Sequence, residues 1–170
     1  MGLLQGLEIQ GDVMLSYRNL TEDDCAFIHK HWVGHSVIFG ASMTIEALYD
    51  MIQSINTKIY NNNYYEMFGI LNDNILVGAF SFYQRDCDIP EGAVYLGIEI
   101  DVMNRCKGFA TSAVLMSFHI AREKGYKKIF SQARIDNAAS INLHEKCGFK
   151  IIEKTFNRIG SEIYNYLYIL

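Results

Sequence analysis

Hydrophobic and polar positions along the chain alternate with two different periods, and the period changes several times between the first residue and the last. The clearest helical period lies in the second half, where apolar residues return every three or four positions. This spacing predicts an amphipathic helix from about Lys107 to Lys124, and Gly125 directly after it is typical of a C-terminal cap. The repeating apolar residues are Phe109, Ala113, Met116 and Ile120.

Three other segments carry the capping residues of helices. Thr21 followed by Asp24 resembles a capping box shortened to an aspartate, and it predicts a helix that runs to about Val33. Thr44 has the side chain of an N-cap, and the helix after it is predicted to reach about Tyr60. The last predicted helix spans 137–146 and ends at Cys147-Gly148.

Runs rich in β-branched and aromatic residues predict the strands. Asn72-Asp73-Asn74 has the composition of a hairpin turn between two of these runs, and the Ile159–Ser161 turn joins the last two. The predicted strands are Val13–Arg18, Tyr64–Leu71, Ile75–Tyr83, Ala93–Val102, Lys127–Arg134, Lys150–Arg158 and Glu162–Ile169.

The predicted order β-α-α-β-β-β-α-β-α-β-β is that of a mixed α/β fold, with two strand–helix units in the second half. A chain of 170 residues fits one domain that can bury a sizeable core. Pro90 is the single proline, and no linker-like or low-complexity stretch divides the chain. We therefore predict one domain, residues 1–170.

Composition disfavours several classes of protein. The four cysteines form no CxxC pair, so neither a metal knuckle nor a disulfide framework is expected. The N-terminal residues lack the pattern of a signal peptide, and no apolar run is long enough to span a bilayer. His29, His31 and His35 are close in sequence, but a helix turns positions i and i+2 apart, so no metal site is expected. We expect a cytoplasmic protein with no membrane partner.

Charge is divided unevenly along the chain. Residues 102–158 hold 11 basic and 4 acidic residues, a local charge of +7, whereas the remaining residues hold 4 basic and 15 acidic ones, a local charge of −11. Either solvated charges have clustered by chance, or a basic half meets a polyanion and an acidic half attracts a cation. Nucleic acid is a poor candidate for the polyanion, because the acidic part would repel it and no binding motif is present.

The segment Arg105-Cys106-Lys107-Gly108-Phe109-Ala110 lies where a predicted strand gives way to the long helix. The first N–H groups of a helix have no partner within it, so they can bind phosphate oxygens together. Gly108 lets a ligand approach the backbone closely, and Arg105 and Lys107 add positive charge. A lone GxA is weak evidence, but its position between strand and helix favours a phosphate site. The segment matches neither GxxxxGK[ST] nor GxGxxG.

A second motif follows about thirty residues later, Asn137-Ala-Ala-Ser-Ile-Asn-Leu-His-Glu-Lys-Cys-Gly-Phe149. The two segments together resemble the GNAT superfamily of N-acetyltransferases. The pattern of that family is a strand, then R/Q-x-x-G-x-G/A, a helix, a strand, and N-x-x-S/A-x-x-L-Y/H-E-K-x-G-F. The resemblance covers Tyr64 to Phe149 well. Tyr95-Leu96-Gly97-Ile98, Asp101 and Arg105–Thr111 look especially like the branch that holds ribosomal-protein N-terminal acetyltransferases and many small-amine acetyltransferases.

The resemblance implies a GNAT-like domain with splayed central strands, acetyl-CoA as cosubstrate and no metal. It implies that the backbone of Arg105–Ala110 binds the pyrophosphate and that the Ile98–Val102 strand edge pairs with the pantetheine amides. It also places Asn137 on the pantetheine arm, although the residue is in addition a natural helix N-cap. The implied cofactor residues are Ile98, Ile100, Val102, Arg105, Cys106, Lys107, Gly108, Phe109, Ala110, Thr111, Asn137, Asn142 and Lys146.

The resemblance leaves the acid–base groups open. Many relatives have a base at the position of Tyr95, and Glu99, four residues on, is the nearest carboxylate. In an unbulged strand the two side chains share a face, whereas a bulge would separate them, and Glu99 is alternatively a surface acid. The tyrosine that protonates the leaving thiolate in much of the family matches His144 here. His144 is a candidate acid, and Tyr95, Ser140 or water are the alternatives.

The resemblance further implies that the two N-terminal helices and the loop Val33–Met43 wall the acceptor site. The acidic residues in that part of the chain favour a small cationic amine or a protein N-terminus as acceptor. They are Glu22, Asp23, Asp24, Glu46 and Asp50. A non-catalytic acyl-CoA sensor and a general nucleotide-binding protein are the alternative functions, and a homodimer is compatible with all three.

Overall fold

A mixed β-sheet runs through the computed structural model, which describes residues 5–7, 15–33, 42–57, 59–60, 63–84 and 90–170. Its strands are β1 (Gln5–Leu7), β2 (Leu15–Asn19), β3 (Ile59–Tyr60), β4 (Asn63–Asn72), β5 (Ile75–Tyr83), β6 (Ala93–Ile100), β7 (Lys128–Arg134), β8 (Lys150–Phe156) and β9 (Glu162–Ile169). The helices are α1 (Cys25–His31), α2 (Ile45–Asn56), α3 (Phe109–Glu123) and α4 (Ala138–Lys146). The mixed α/β fold class predicted from the sequence is confirmed.

The strands lie in the order β1-β2-β4-β5-β6-β7-β9-β8, and β3 pairs with β4 beside this path. Neighbours pair antiparallel except β6 and β7, which are parallel and share only three register pairs, the last of them Tyr95–Phe130. The helix α3 connects these two strands and packs against β6. The centre of the sheet therefore contains one short parallel ladder.

Two hydrophobic cores lie on opposite faces of the sheet. Met67 and Phe68 are neighbours in β4, so their side chains point to opposite faces. Met67 packs with Ile28 and Leu48 of α1 and α2. Phe68 packs in the other core with Met116 of α3. The sheet thus has the N-terminal helices on one face and the core of α3 and its neighbours on the other.

Several element boundaries differ from the prediction. The second helix ends at Asn56 rather than near Tyr60, because Ile59–Tyr60 instead pairs with β4 as a short strand. The strand predicted to reach Val102 ends at Ile100, because 102–104 forms a 3-10 turn. The first predicted helix opens with a 3-10 turn at 22–24, and β1 was not predicted. The other predicted boundaries agree to within two residues, while residues 13 and 14 of the first predicted strand lie outside the described residues.

The start of α1 is fixed by a buried carboxylate. Arg18 donates two hydrogen bonds to Asp24, at 2.6 and 2.8 Å, and the Thr21 N–H donates a third at 2.7 Å. The last of these is the reciprocal half of a capping box, as the sequence predicted. Burial by itself would raise the pKa of Asp24, but the hydrogen bonds from Arg18 and Thr21 outweigh it, and the pKa is lowered. This carboxylate therefore stabilises the folded chain at the start of α1.

Replacing Asp24 with alanine should lower the free energy of unfolding by about 1–3 kcal/mol, because buried donors lose their acceptor. Urea unfolding at pH 7 measures this loss. The matched control is Asp136→Ala, which removes an exposed carboxylate paired with Arg134 and should leave the transition within error of wild type. Equal losses in both variants would contradict the assignment.

The same carboxylate predicts a pH dependence. Because the pKa of Asp24 is lower in the folded state than in the unfolded chain, its contribution is complete above the unfolded value of about 3.9. The contribution is lost as the pH falls through the folded pKa. The difference between wild type and Asp24→Ala should therefore shrink in acid and stay constant between pH 6 and 8.

Candidate active site

The two parallel strands separate directly after Tyr95 and Phe130, and a cleft opens within the plane of the sheet. Beyond this pair β6 continues to Ile100 beside β5, with an unbroken register. The Asp101 N–H donates to the Val77 carbonyl, so the odd-numbered residues of β6 turn their backbone groups toward β5. Backbone groups alternate along a strand. The even-numbered residues therefore turn theirs toward the cleft.

Two of the cleft-facing carbonyls have side-chain donors. The Ser131 hydroxyl donates to the Leu96 carbonyl at 3.0 Å, and the Arg105 Nε–H donates to the Ile100 carbonyl at 3.2 Å. Between them, Ile98 has no partner strand beside its N–H and C=O among the described residues. Ile98 and Ile100 are thus on the edge that the sequence predicted. Val102 lies exposed in the 3-10 turn, so the predicted strand is wrong at this residue, while its contact with the cofactor stays a prediction.

The turn that leads into α3 has the backbone of an anion-binding site. Cys106 and Gly108 both have positive φ, 60° and 81° respectively, and Gly108 is the N-cap of α3. Residues 105–108 are exposed, whereas Phe109 is buried in the core and anchors the start of the helix. A Cβ built on Gly108 would meet nothing within 4 Å, so the space in front of the turn is open. The first N–H groups of α3 are available there.

Asp101 fixes the 3-10 turn between β6 and the turn that leads into α3. Its carboxylate is buried and accepts from the Met103 N–H at 3.1 Å and from the Asn104 side chain at 3.0 Å. The Trp32 Nε1–H after α1 donates to the same carboxylate at 3.2 Å. One buried group therefore connects the end of α1 with the turn that leads into α3.

Glu99 and Tyr95 point toward the N-terminal helices. Glu99 lies directly opposite Ala79 on β5, and Ala79 belongs to the core beneath α1 and α2. Directly opposed residues share a face. No bulge interrupts β6 against β5, so Tyr95 shares this face with Glu99, as an unbulged strand requires. The Tyr95 ring stacks on Tyr83, with centroids 5.5 Å apart, and contacts Phe130 at 5.6 Å.

Comparison with known proteins identifies the family. A model described as acetyltransferase (GNAT) domain matches residues 15–150, which is most of the chain. The chain belongs to the GNAT family of acetyltransferases. None of the curated protein sequences compared with the chain matches it.

Solved structures of GNAT proteins share the fold over nearly the whole chain. An acetyltransferase from Salmonella typhimurium that modifies the N-terminal serine of ribosomal protein L7/L12 is 19% identical, covers 94% of this chain and 96% of its own, and has a TM-score of 0.74. RimL, a ribosomal L7/L12 α-N-protein acetyltransferase in complex with coenzyme A, is 18% identical, covers 98% of this chain and 98% of its own, and has a TM-score of 0.77. Spermidine N-acetyltransferase from Vibrio cholerae, in complex with CoA and spermine, is 18% identical, covers 91% of this chain and 95% of its own, and has a TM-score of 0.72.

As a GNAT protein the chain is an acetyl-CoA-dependent N-acetyltransferase, and the family predicted from the two motifs is confirmed. No helix within the described ranges is long and apolar enough to cross a membrane. In the same ranges no three His, Cys, Asp or Glu side chains come together as metal ligands. His35, one of the three histidines considered for a metal, lies outside the described residues.

The second motif of this GNAT protein forms α4. The Asn137 side chain accepts from the Ser140 N–H at 3.1 Å, so the helix-capping role predicted for it is confirmed. Asn142 and Lys146 are exposed four residues apart on α4, so they lie on one face of that helix. Contact of these three residues with the cofactor stays a prediction.

His144 is buried beneath α4, with 5% of its surface exposed. Its Nδ1 lies 2.6 Å from the Ser140 carbonyl and its Nε2 lies 2.8 Å from the Ser131 hydroxyl, while its ring stacks on Tyr166. Burial lowers the pKa of His144, opposed by the Ser140 hydrogen bond, so the neutral imidazole predominates at pH 7. Sequence reasoning predicted neither Ser131 nor the Trp32–Asp101 contact. The only sequence sign of the Asp101 contacts is an aspartate placed to cap a turn.

The acidic residues expected around the acceptor differ in their roles. Asp24 is paired with Arg18, and Glu22 accepts a hydrogen bond from the Gln53 side chain. Glu46 instead lines a cavity of about 510 Å³ together with His29 and Val33. Of the predicted acceptor loop, residues 34–41 lie outside the described residues.

Proposed function

We propose that this GNAT protein binds acetyl-CoA along the open edge of β6 and transfers the acetyl group to the primary amine of a small cation or of a protein N-terminus. The observation that carries the proposal is the continuity of the site. The open edge at Ile98 leads through the buried Asp101 turn to the positive-φ turn at Gly108. A single extended ligand with amides at one end and a pyrophosphate at the other fits this path.

The phosphate end of the proposed path is chemically suited to its ligand. The first N–H groups of α3 and the exposed side chains of Arg105 and Lys107 face a dianionic pyrophosphate. The Lys107 ammonium donates to the Asn104 side chain at 3.1 Å, which holds it beside the turn. Cys106 and Thr111 contribute backbone in this proposal and take no part in the chemistry.

The reaction proposed is direct attack. The amine nitrogen adds to the thioester carbonyl carbon, a C–N bond forms, the tetrahedral intermediate collapses and the C–S bond breaks. The amine loses its proton to Glu99, directly or through water, and the departing coenzyme A thiolate gains one. Support for Glu99 is its place on the face of the sheet that carries α1 and α2, where the acceptor is expected. The acid role of Tyr95 or His144 stays a prediction.

The acceptor proposed is cationic, because Glu46 lines the cavity beside α1 and the part of the chain before residue 102 is acidic. The Vibrio cholerae structure holds spermine and the Salmonella protein modifies a protein N-terminus, so both acceptor types occur on this fold. Our proposal places the reaction in the cytoplasm, with no nucleic acid or membrane as partner. A homodimer and a single domain over 1–170 also stay predictions.

Release of free coenzyme A from acetyl-CoA tests this proposal. We expect thiol release only when an amine is added, faster with polyamines or with peptides that have a free N-terminus than with neutral or anionic amines. Turnover restricted to anionic acceptors would overturn the charge argument. Tight coenzyme A binding with no amine-dependent thiol release would instead identify a sensor, and preferential stabilisation by ATP or NAD a general nucleotide-binding protein.

Replacing Gly108 with alanine should weaken coenzyme A binding, because the new methyl group occupies the open space before the phosphate turn. The matched control is Gly160→Ala in the turn between β8 and β9, where φ is 80° and the surrounding space is equally open. Both variants should lose about 1 kcal/mol of stability from backbone strain. Only Gly108→Ala should raise the dissociation constant measured by calorimetry, and equal affinities would argue against the phosphate site.

Replacing Glu99 with glutamine should lower kcat by about 10²- to 10⁴-fold, the range for removal of a general base. The dissociation constant for coenzyme A should stay unchanged, because the Glu99 side chain lies on the face opposite α3. Glu91→Gln, an exposed carboxylate just before β6, serves as the control. A Glu99→Gln enzyme with wild-type kcat across pH 6–9 would remove Glu99 from the mechanism.

A further inference from the structure

The vertex of the cleft is closed by a side chain rather than by the sheet. The β6–β7 ladder ends at Tyr95–Phe130, and the next residues on the two strands, Leu96 and Ser131, are joined by the Ser131 hydroxyl at 3.0 Å from the Leu96 carbonyl. Ser131 has 5% of its surface exposed, so this bond is shielded from water. It is the cross-link nearest to the point where the strands part.

A second contact orients the Ser131 hydroxyl. A carbonyl only accepts, so the 2.6 Å contact to the Ser140 carbonyl places a proton on Nδ1 of His144. In the neutral imidazole Nε2 is then an acceptor, 2.8 Å from the Ser131 oxygen. The Ser131 hydroxyl thus lies between two acceptors, His144 Nε2 and the Leu96 carbonyl. It has a single proton, which the two acceptors share, and the position of its oxygen is set by both.

We propose that Ser131 is a positioning residue for acetyl transfer, oriented by His144, and that its hydroxyl fixes the Leu96 carbonyl and the width of the cleft at the vertex. This inference rests on the proposed function. A cofactor with its pyrophosphate at the Gly108 turn and its amides along Ile98 brings the thioester end closest to the vertex. Small displacements of a reacting group there have large effects on rate.

The same contacts favour a role of His144 through Ser131 over direct protonation of the leaving thiolate. Both ring nitrogens are engaged, one with the Ser140 carbonyl and one with the Ser131 hydroxyl, and the ring is covered by Tyr166 at a centroid distance of 4.4 Å. A proton donor must reach the group it protonates. His144 contacts the vertex through one intervening hydroxyl.

The test compares two buried serines. Ser131→Ala removes the vertex hydroxyl, whereas Ser117→Ala removes a hydroxyl that donates to the Val114 carbonyl inside α3. We expect Ser131→Ala to raise both KM for acetyl-CoA and the calorimetric dissociation constant for coenzyme A by about three- to tenfold, the effect of one lost buried hydrogen bond. KM for the amine should stay within twofold of wild type. Ser117→Ala should bind coenzyme A like wild type, and the same affinity in both variants would overturn the proposal.

His144→Phe and the double variant with Ser131→Ala separate positioning from proton donation. If His144 acts through Ser131, adding His144→Phe to Ser131→Ala changes coenzyme A affinity by less than about twofold. The pH dependence of kcat then keeps its shape in His144→Phe. The proposal would be overturned if His144→Phe lost about 10²-fold or more in kcat together with one limb of its pH profile, while Ser131→Ala kept a kcat near that of wild type. His144 would then be the acid.

The controls also separate this inference from the proposed function. If wild type itself binds no coenzyme A, the proposed function fails. If wild type and Ser117→Ala bind it and Ser131→Ala binds it equally well, the proposed function stands and the role of Ser131 fails. If His144→Phe does not fold, His144→Gln takes its place, because glutamine keeps a polar atom near Ser131. We expect His144→Gln to keep most of the wild-type affinity for coenzyme A. A His144→Gln variant that binds coenzyme A as weakly as Ser131→Ala contradicts orientation by His144.

Discussion

The site depends on one constraint: two parallel strands stop pairing while both continue. Backbone N–H and C=O groups that leave a ladder must find other partners. Here two carbonyls of β6 take side-chain donors, Ser131 at one end of the gap and Arg105 at the other. What is left between them, at Ile98, is a stretch of strand edge whose ligand has to supply the missing strand. The cleft is therefore defined by hydrogen-bonding requirements more than by shape.

The surrounding elements hold that gap in place. The register of β6 against β5 is unbroken, so one edge of β6 is fully paired while the other is open. Phe109 anchors α3 in the core directly after the exposed turn, which lets the turn itself adopt positive φ without losing its position. Asp101 occupies the bend between strand and turn. Rigid packing on three sides allows an exposed loop to act as a defined binding surface.

Much of this could be predicted from the sequence. Helical periodicity located α3 and Asn137 located α4, because both signals are local. The sequence predicted a coenzyme A site at the Gly108 loop only when this loop was considered together with the second motif. The end of α2 was misplaced because pairing with β4 overrode the helical pattern near Tyr60. Ser131 could not be predicted, since a serine in a strand has no local signature and its partners, Leu96 and His144, lie 35 and 13 residues away on other elements.

The Trp32–Asp101 hydrogen bond spans 69 residues of chain, and the Glu66–Lys124 ion pair spans 58. A chain emerging from the ribosome therefore exposes Trp32 and Glu66 well before Asp101 and Lys124, their partners, have been synthesised. Until residue 101 emerges, Trp32 and the core beneath α1 lack part of their cover. The Trp32–Asp101 contact thus forms only after most of the sheet up to β6 has been synthesised.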